Sequence, residues 1–511
     1  MAIRYLFLCF LLLLAMGCDD LMSPFQHRSH RFCCTDPVVC EQWGAPGPVP
    51  CREPGQICGG LNRCIDDPST HRCSGSDDCM AVAGKPACVA GICTPCDPTR
   101  PANELTCPAD APRCSAEGAC VAGCTMDGEC ARFPNAPRCG GDGRCQECRD
   151  EGLSSDCDPS APICSGGTCQ LCAANAECGA ADICDEDSGR CVQDENLIVV
   201  SVTGKEGAPC TRLEPCRHVK EGVDKASGAR KWVLVRAGTY DREPDVVLVK
   251  GKDVNLVARG DATLSPPRTN APGLIVEGRA MVVVDGLRVA SGGGAAGDGI
   301  ICRTADAASP RLILRRVTVA DNSGIGVKAD LCNVTIEQSI IAGNTRGGIS
   351  IASSDFTVVN TIVGGNGNSL SDFGGIKIAG TATMGGGILE FNTIANSSAQ
   401  PGVATGVQCV AVGLSASNSI VYDENPPPAT VQISGNCSWS SSLVGPSALA
   451  GNLNANPKFV SSTTSNYRLG VGSPAINQAD EKATLSVDFE GDQRPQRGDR
   501  RDIGADEARD D

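Results

Sequence analysis

Cysteine is the residue type with the most chemistry to offer in this chain, and its distribution is uneven. Of the 34 cysteines, 26 lie from Cys33 to Cys191, and only six follow from Cys210 onward. Cysteine thiols pair as disulfides in oxidising compartments, and as thiolates they bind zinc. A thiol-dense repeat region followed by a cysteine-poor domain is typical of an exported, oxidised protein.

The dense region, 33–192, consists of six repeats of about 25 residues that each carry four cysteines. The spacing C-x10-C-x6-C-x5-C begins at Cys40 and recurs unchanged at Cys96. Glycine and proline stand at fixed offsets before the later cysteines, which indicates tight turns that bring the thiols together. A repeat has too few large apolar residues for a core, so cross-links must replace burial, at roughly 2–4 kcal/mol per disulfide.

Zinc is the competing interpretation of these repeats. C-x2-C pairs begin at Cys93, Cys145 and Cys169, but His71 is the only histidine in the region. Export and the shortage of histidine favour disulfides, and three pairings within each repeat remain open. The repeats loosely resemble the cysteine-rich stalk modules of secreted proteins, such as EGF-like and Dickkopf-type modules.

The first 17 residues have the form of a secretory signal, with Arg4 ahead of an apolar run too short to span a bilayer comfortably. The run ends in Ala15-Met16-Gly17-Cys18, which resembles the lipobox of bacterial lipoproteins. That resemblance implies removal of residues 1–17, lipidation of Cys18, and a polar tether at 18–32. The alternative is a plain secretory signal with an incidental cysteine.

From Leu197 onward an internal repeat predicts the fold. Glycine-led tetrads with alternating apolar residues recur every 24 to 31 residues and begin at Gly299, Gly324, Gly348, Gly375 and Gly406. Short apolar runs interleave with them and begin at Val317, Ser339, Thr361, Thr393 and Ser419. Two short strands per turn predict a coil of parallel strands with rungs about 4.8 Å apart. The second and fourth residues of each tetrad should point inward, and the third outward.

Two side-chain arrangements follow from this coil. Asn322, Asn344 and Asn366 recur at 22-residue steps, so they could form a ladder that hydrogen-bonds rung to rung. Surface asparagines in loops are the alternative.

The six cysteines of this domain should pair locally, as Cys210–Cys216, Cys302–Cys332 and Cys409–Cys437. We expect Cys302 to stack under Val327 and Cys409 under Ile433. Cys302 and Cys409 lie about four rungs, or roughly 19 Å, apart, which is too far for a bond.

The segment 197–470 resembles the right-handed parallel β-helix of the pectin-lyase-like superfamily, since the stretch ending in Gly238-Thr239-Tyr240 looks like the entry strand of many members. The tail at 471–511 resembles the C-terminal segment of bacterial choice-of-anchor β-helix proteins. The matching motifs are Gly472-Ser473-Pro474-Ala475-Ile476, Asp488-x-x-Gly491-x-x-Arg494 and Asp502-Ile503-Gly504-Ala505-x-Glu507. The resemblance implies an all-β chain: a right-handed parallel β-helix preceded by a disulfide-rich, loop-dominated repeat region. It is weak evidence for activity.

Catalytic acids are not evident at the positions predicted to face outward. After the tetrads these positions are Ile301, Gly326, Ser350, Lys377 and Gln408, followed by Arg303, Lys328, Ala352, Ala379 and Val410. Beside the second strand series stand Arg316, Gln338, Asn360, Asn392 and Asn418. The domain's one histidine, His218, falls in a predicted capping helix. We therefore predict no catalytic residue, metal ligand or cofactor.

The chain is thus more consistent with a binding protein than with an enzyme. We expect a lipid-anchored envelope or cell-surface protein, with a disulfide-stiffened stalk that presents the β-helix for adhesion or glycan binding. Its partners would be the membrane, through the lipid, and polysaccharides or surface proteins; the net charge of −16 disfavours nucleic acid.

Two alternatives remain. One is a lyase, glycosidase or esterase with acids in the loops 291–298, 366–373 or 423–428. The other is a purely structural envelope component. For the enzyme, the first acids to examine would be Asp285, Asp298, Asp321 and Asp372.

Overall fold

The chain divides into two compact units, residues 1–179 with 184–190 and residues 180–183 with 191–511. The computed structural model describes 56–58, 64–66, 72–74, 76–79, 82, 85, 87–89, 91–97, 107, 111–116, 120–121, 123–131, 133–149, 152–179, 183–265, 271–290, 297–305, 309–381, 386–410, 413–426, 430–496 and 498–509. The predicted signal at 1–17, Cys18 and the tether at 18–32 lie outside these residues.

Short antiparallel hairpins and single 3-10 turns make up the described part of the first unit. Its strands are Gln56–Cys58, Cys64–Asp66, Ala87–Val89, Ile92–Thr94, Arg113–Cys114, Cys120–Val121, Arg138–Cys139, Cys145–Gln146, Gly152–Leu153, Ile163–Ser165, Thr168–Gln170, Cys184–Asp185 and Arg190–Cys191, with 3-10 turns at Ser76–Cys79, Asp127–Glu129 and Asn175–Cys178. The 3-10 turn Asp194–Asn196 belongs to the second unit. Two of the described hairpin turns contain a glycine in the left-handed region, Gly143 and Gly167, with φ of 75° and 79°.

Within the described part of this unit the disulfides below follow one rule, in which the first cysteine of a repeat bonds the third and the second bonds the fourth. The bonds are Cys73–Cys88, Cys79–Cys93, Cys96–Cys114, Cys107–Cys120, Cys124–Cys139, Cys130–Cys145, Cys148–Cys164, Cys157–Cys169 and Cys172–Cys184. The two bonds of a repeat lie side by side, so three sulfurs approach within 4.8 Å of one another. Sulfur atoms held in disulfides offer no thiolate to zinc.

The second unit is a parallel coil with three strand-bearing faces, so the prediction of two strands per turn is wrong by one strand. Face 1 is a parallel sheet of eight strands: Val247–Lys250, Leu274–Glu277, Ile300–Arg303, Ile325–Asp330, Gly347–Ala352, Ile376–Ala379, Val407–Val410 and Ile433–Gly435. Their inward side chains alternate with outward ones, as the tetrads predict.

A second sheet of 17 strands supplies the other two faces. It opens with Leu197–Lys205, Trp232–Tyr240 and Val254–Leu264. Face 2 then contains Met281–Asp285, Arg311–Arg315, Asn333–Glu337, Phe356–Val359, Gly387–Glu390, Ser415–Ser417 and Ser438–Ser440. Face 3 contains Arg288–Ala290, Thr318–Ala320, Ile340–Ala342, Ile362–Gly364, Thr393–Ala395, Ile420–Tyr422 and Leu443–Gly445. The prediction of an all-β parallel β-helix, preceded by a disulfide-rich loop region, is confirmed.

The core consists of stacked rows of Val, Ile and Leu that run through the coil. One tetrad departs from the predicted register: Val327, not Ile325, pairs with Ile300 and Ile349. The shift by two residues leaves the inward–outward alternation intact, because side chains repeat with period two. It moves Lys328, in place of Gly326, into the row of Ile301 and Ser350.

The helix Val219–Lys225 packs against the first strands of the coil. The buried carboxylate of Glu243 accepts hydrogen bonds from the N–H groups of Val219 (2.7 Å) and Lys220 (2.9 Å), which satisfies two donors at the start of the helix. At its other end, Lys252 Nζ donates to the carbonyl of Val223 at 2.6 Å. His218 lies immediately before this helix.

Among the described residues no helix has the length and apolar character needed to span a membrane.

After the last rung the chain forms an antiparallel pair, Phe459–Ser461 with Asn466–Leu469, around the 3-10 turn Ser462–Thr464. The tail then folds back over face 3. Ala475 and Ile503 pack on Ile420 and Leu443 in one apolar cluster. The tail therefore covers the outward side of face 3.

Candidate functional site

The three asparagines singled out in the sequence lie inside the coil and stack directly. Asn322 Nδ2 donates to Asn344 Oδ1 at 2.9 Å, and Asn344 Nδ2 donates to Asn366 Oδ1 at 3.0 Å. The same oxygens accept the backbone N–H of the preceding asparagine. All three side chains are fully buried. The structure thus places them in a buried ladder and not in surface loops.

A second polar ladder runs parallel to the first, and sequence reasoning missed it. Thr361 N donates to Asn392 Oδ1 at 3.1 Å, Asn392 N to Ser419 Oγ at 3.0 Å, and Ser419 N to Ser442 Oγ at 3.2 Å. Asn392 was expected at the exposed corner, but it lies in this ladder, and Phe391 takes the corner position with φ of 53°. The available signal was a polar residue immediately before each of the last five face 3 strands: Ser339, Thr361, Asn392, Ser419 and Ser442.

The six cysteines of the coil lie in local pairs. Cys210 is bonded to Cys216, Cys302 to Cys332, and Cys409 to Cys437, with Cα–Cα distances of 4.5, 5.8 and 5.8 Å. The stacking partners predicted for Cys302 and Cys409 are wrong by two residues. Cys302 pairs with Ala329, not Val327, and Cys409 pairs with Gly435, not Ile433.

The register shift also corrects the expectation that outward rows of face 1 carry no acid. Glu277, Arg303 and Asp330 follow one another on successive rungs in one outward row. Arg303 Nη2 lies 2.6 Å from Glu277 Oε1, which forms an ion pair between neighbouring rungs. Asp330 is exposed.

Three of the four acids named as first candidates for catalysis have structural partners. Asp285 accepts two hydrogen bonds from the guanidinium of Arg316. Asp298 Oδ1 accepts the N–H of Ile325 at 2.7 Å. Asp321 pairs with Arg288 at 2.7 Å, and Asp372 is exposed. The structure does not bring these acids together in a cleft.

A cleft of about 220 Å³ does lie beside one of the predicted loops, and it is the best candidate site on the described surface. It is lined by Asn396, Ser397, Ser398, Asp423, Glu424, Asn425, Pro426, Ser462 and Thr463. Two consecutive carboxyl groups differ here, since Asp423 is buried and Glu424 is half-buried. Glu424 accepts a hydrogen bond from the hydroxyl of Ser462. Burial raises the pKa of Asp423, against the opposing effect of hydrogen bonds from Thr405 and Gln432.

Beneath this cleft, two buried side chains donate hydrogen bonds to one carboxylate oxygen of the buried Asp423. Thr405 Oγ1 donates to Asp423 Oδ2, and Gln432 Nε2 donates to the same oxygen at 3.4 Å. Gln432 Oε1 in turn accepts the backbone N–H of Ser447 at 3.1 Å. Thr405, Asp423 and Gln432 are far apart in the sequence, so the sequence alone did not indicate this cluster. Asp423 is nevertheless the first residue of the predicted loop 423–428.

The tail acids form a buried network around one arginine. Arg494 Nη1 donates to Glu507 Oε2 at 3.0 Å, and its Nη2 donates to Gly504 O at 2.8 Å. Asp488 and Asp502, also buried, accept backbone N–H groups of the tail. Burial raises the pKa of Asp506 to about 7. These residues therefore stabilise the folded tail.

Comparison with known proteins adds little to this site. No protein-family model matches the chain, and no curated protein matches it. Among solved structures, the crystal structure of pectate lyase Pel9A is similar, with 12% sequence identity and a TM-score of 0.36. The alignment covers 61% of this chain and 96% of that chain. The fold assignment rests on the strand pairings described above.

Proposed function

We propose that this protein is a lipid-anchored component of the cell envelope that displays its β-helix as a binding surface, for adhesion or for contact with glycans. The disulfide-rich region is the stalk in this proposal, and Cys18 is the point of lipid attachment. The nine bonded cysteine pairs of that region support an oxidising compartment outside the cytoplasm.

The observation that carries the proposal is a straight row of polar side chains on face 1, which we call the donor row. It consists of Lys328, Ser350, Lys377, Gln408 and Ser434, one residue per rung. Parallel pairing spaces these residues about 4.8 Å apart along the coil. Such a row offers hydrogen-bond donors at regular intervals to an extended, oxygen-rich partner.

Several outward acids of faces 1 and 2 are already engaged, and Asp330 is the exposed exception in the row next to the donor row. Glu277 pairs with Arg303, and Glu337 pairs with Arg315. Asn418 Nδ2 donates to Glu390 Oε1 at 2.8 Å. Carboxylates held in this way are poorly suited to act as bases or to bind a metal, so the donor row favours display over catalysis on these faces.

A glycan array with the exported full-length protein tests the proposal. We expect selective binding to extended polysaccharides that is lost in the double variant Lys328→Ala, Lys377→Ala. Lys482→Ala, at an exposed tail position, is the matched control and should bind as the wild type does. Binding that survives the double substitution would remove the donor row from the proposal, and no binding to any glycan or envelope surface would favour a purely structural role.

The cleft beside Asp423 supports a second candidate, a carbohydrate-active enzyme. A carboxyl group with a raised pKa can donate a proton, and a second carboxylate can act as base or nucleophile. Asp423 and Glu424 would take these roles. Pectate, alginate and host exopolysaccharide should then yield reducing ends or unsaturated products, and Glu424→Gln should abolish them. An absence of product from the wild type would exclude this candidate for those substrates.

A further inference from the structure

We propose that Thr405 and Gln432 become joined by an intramolecular ester bond, with Asp423 as the proton carrier. The three side chains are 4%, 1% and 5% exposed, respectively. The reaction would convert the side-chain amide of Gln432 into an ester and release one molecule of ammonia. This covalent modification is independent of the binding surface proposed above.

The arrangement of donors and acceptors fits an acyl transfer. The nucleophile is the Thr405 hydroxyl, which already donates its proton towards Asp423 Oδ2. The leaving nitrogen is Gln432 Nε2, which lies 3.4 Å from the same carboxylate oxygen. The carbonyl oxygen that would gain negative charge, Gln432 Oε1, accepts the Ser447 N–H at 3.1 Å. Nucleophile, base, leaving group and oxyanion donor are therefore assembled around one amide.

Atoms and protons balance without an outside reagent. Thr405 Oγ1 adds to Cδ of Gln432 while its proton passes to Asp423. The resulting tetrahedral centre collapses as its C–N bond breaks, and Asp423 returns the proton to the departing nitrogen. One C–O bond and one N–H bond form, one C–N bond and one O–H bond break, and no oxidation state changes. Burial, which raises the pKa of Asp423, helps this carboxyl to hold the proton between the two steps.

The environment also favours persistence of the ester. Ammonia is lost to bulk solvent, and burial of all three groups limits access of water to the bond. Thr405 lies just before the face 1 strand Val407–Val410, and Gln432 lies just before its neighbour Ile433–Gly435. The Cys409–Cys437 bond joins the same two rungs further along the chain. The ester would thus fasten these rungs at the opposite end of the strands.

Mass spectrometry of the exported wild-type protein tests the proposal directly. No Lys or Arg lies between Lys377 and Lys458, so trypsin leaves both residues on one peptide. After reduction and alkylation, cleavage beside Asp423 and Glu424 separates them unless they are bonded. We expect the two fragments to remain joined, lighter than their sum by one ammonia, and to separate in hydroxylamine. Separate fragments with an intact Gln432 amide would overturn the proposal.

Two variants connect the cross-link to the assembled groups. Thr405→Ala and Asp423→Asn should each give separable fragments of full mass. Thr361→Ala is the matched control, because Thr361 is also buried and its hydroxyl donates to a backbone carbonyl at 2.9 Å. The control should retain the cross-link. If a variant does not fold, the wild-type mapping alone still decides the question.

Discussion

Arg494 and Glu507 form an ion pair in the interior of the molecule: Nη1 lies 3.0 Å from Oε2, and the side chains are 0% and 1% exposed. The guanidinium also stacks on the ring of Phe391, with its carbon 4.7 Å from the ring centroid. Its second terminal nitrogen donates to Gly504 O and to Asn360 Oδ1. One tail residue therefore joins the tail to the corner between faces 2 and 3.

Replacing Arg494 with methionine should reduce the free energy of unfolding by about 3–5 kcal/mol, because the substitution leaves the Glu507 carboxylate buried without its partner. Arg509→Met is the control, since Arg509 pairs with Asp492 at an exposed position, where solvent screens the ion pair and its loss should have a much smaller effect on stability. Denaturant unfolding under non-reducing conditions measures both. Equal effects would show that the buried pair does not hold the tail.

Replacing Asn344 with alanine should cost about 2–4 kcal/mol, because the central member of the ladder makes hydrogen bonds to both neighbouring rungs and its loss leaves buried groups unsatisfied. Asn425→Ala changes an exposed asparagine and should be nearly neutral. Thermal and denaturant unfolding compare the two variants. A neutral Asn344→Ala would contradict a stabilising role for the ladder.

Asp506 should make stability depend on pH. Burial raises its pKa to about 7 in the folded protein, against 3.8 for an unperturbed aspartate. Since the folded-state value is the higher one, this carboxyl contributes stability that is complete below about pH 4 and is lost as the pH rises through 7. Asp506→Asn should remove this contribution, so the stability difference between wild type and variant should change by on the order of 4 kcal/mol from pH 4 to 8. Parallel stability curves would contradict the buried titration.

The double variant Cys302→Ser, Cys332→Ser should lose about 2–4 kcal/mol of stability, because one loop of the unfolded chain is no longer constrained. Non-reducing peptide mapping of the wild type should recover Cys302–Cys332 and Cys409–Cys437. Recovery of Cys302 bonded to Cys409 would contradict the register of face 1, since four rungs separate these residues by about 19 Å.

Cys18→Ser should abolish acylation and release the protein from membranes in the native host. Cys9→Ser is the matched control, because Cys9 lies within the predicted signal and should leave the mature protein unchanged. Cell fractionation and the intact mass of the mature N-terminus are the measurements. Unchanged membrane association and acyl mass in Cys18→Ser would exclude lipidation at this residue.

Repeat spacing and composition were enough to predict the class of fold and the cross-linked character of the first unit. Strand alternation has a period of two residues and the rung has a nearly regular length, so Val, Ile and glycine positions such as those of the Gly348 tetrad indicate a parallel coil. The cysteine repeats likewise indicate a cross-linked region, because too few apolar residues are present to form a core. These properties depend on local spacing and composition, which a single sequence displays.

The register of the strands and the contacts between distant residues became visible in the folded chain and could not be read from the spacing. A tetrad can shift by two residues without changing its inward pattern, so the placement of Val327 and Lys328 depends on how whole rungs stack. The pairing of first with third cysteines depends on hairpin geometry, which spacing does not specify. Thr405, Asp423 and Gln432 meet because one turn of the coil returns the chain to nearly the same place, and Arg494 meets Asn360 because the tail folds back over face 3. Such contacts are set by the path of the whole chain, and no local pattern encodes them.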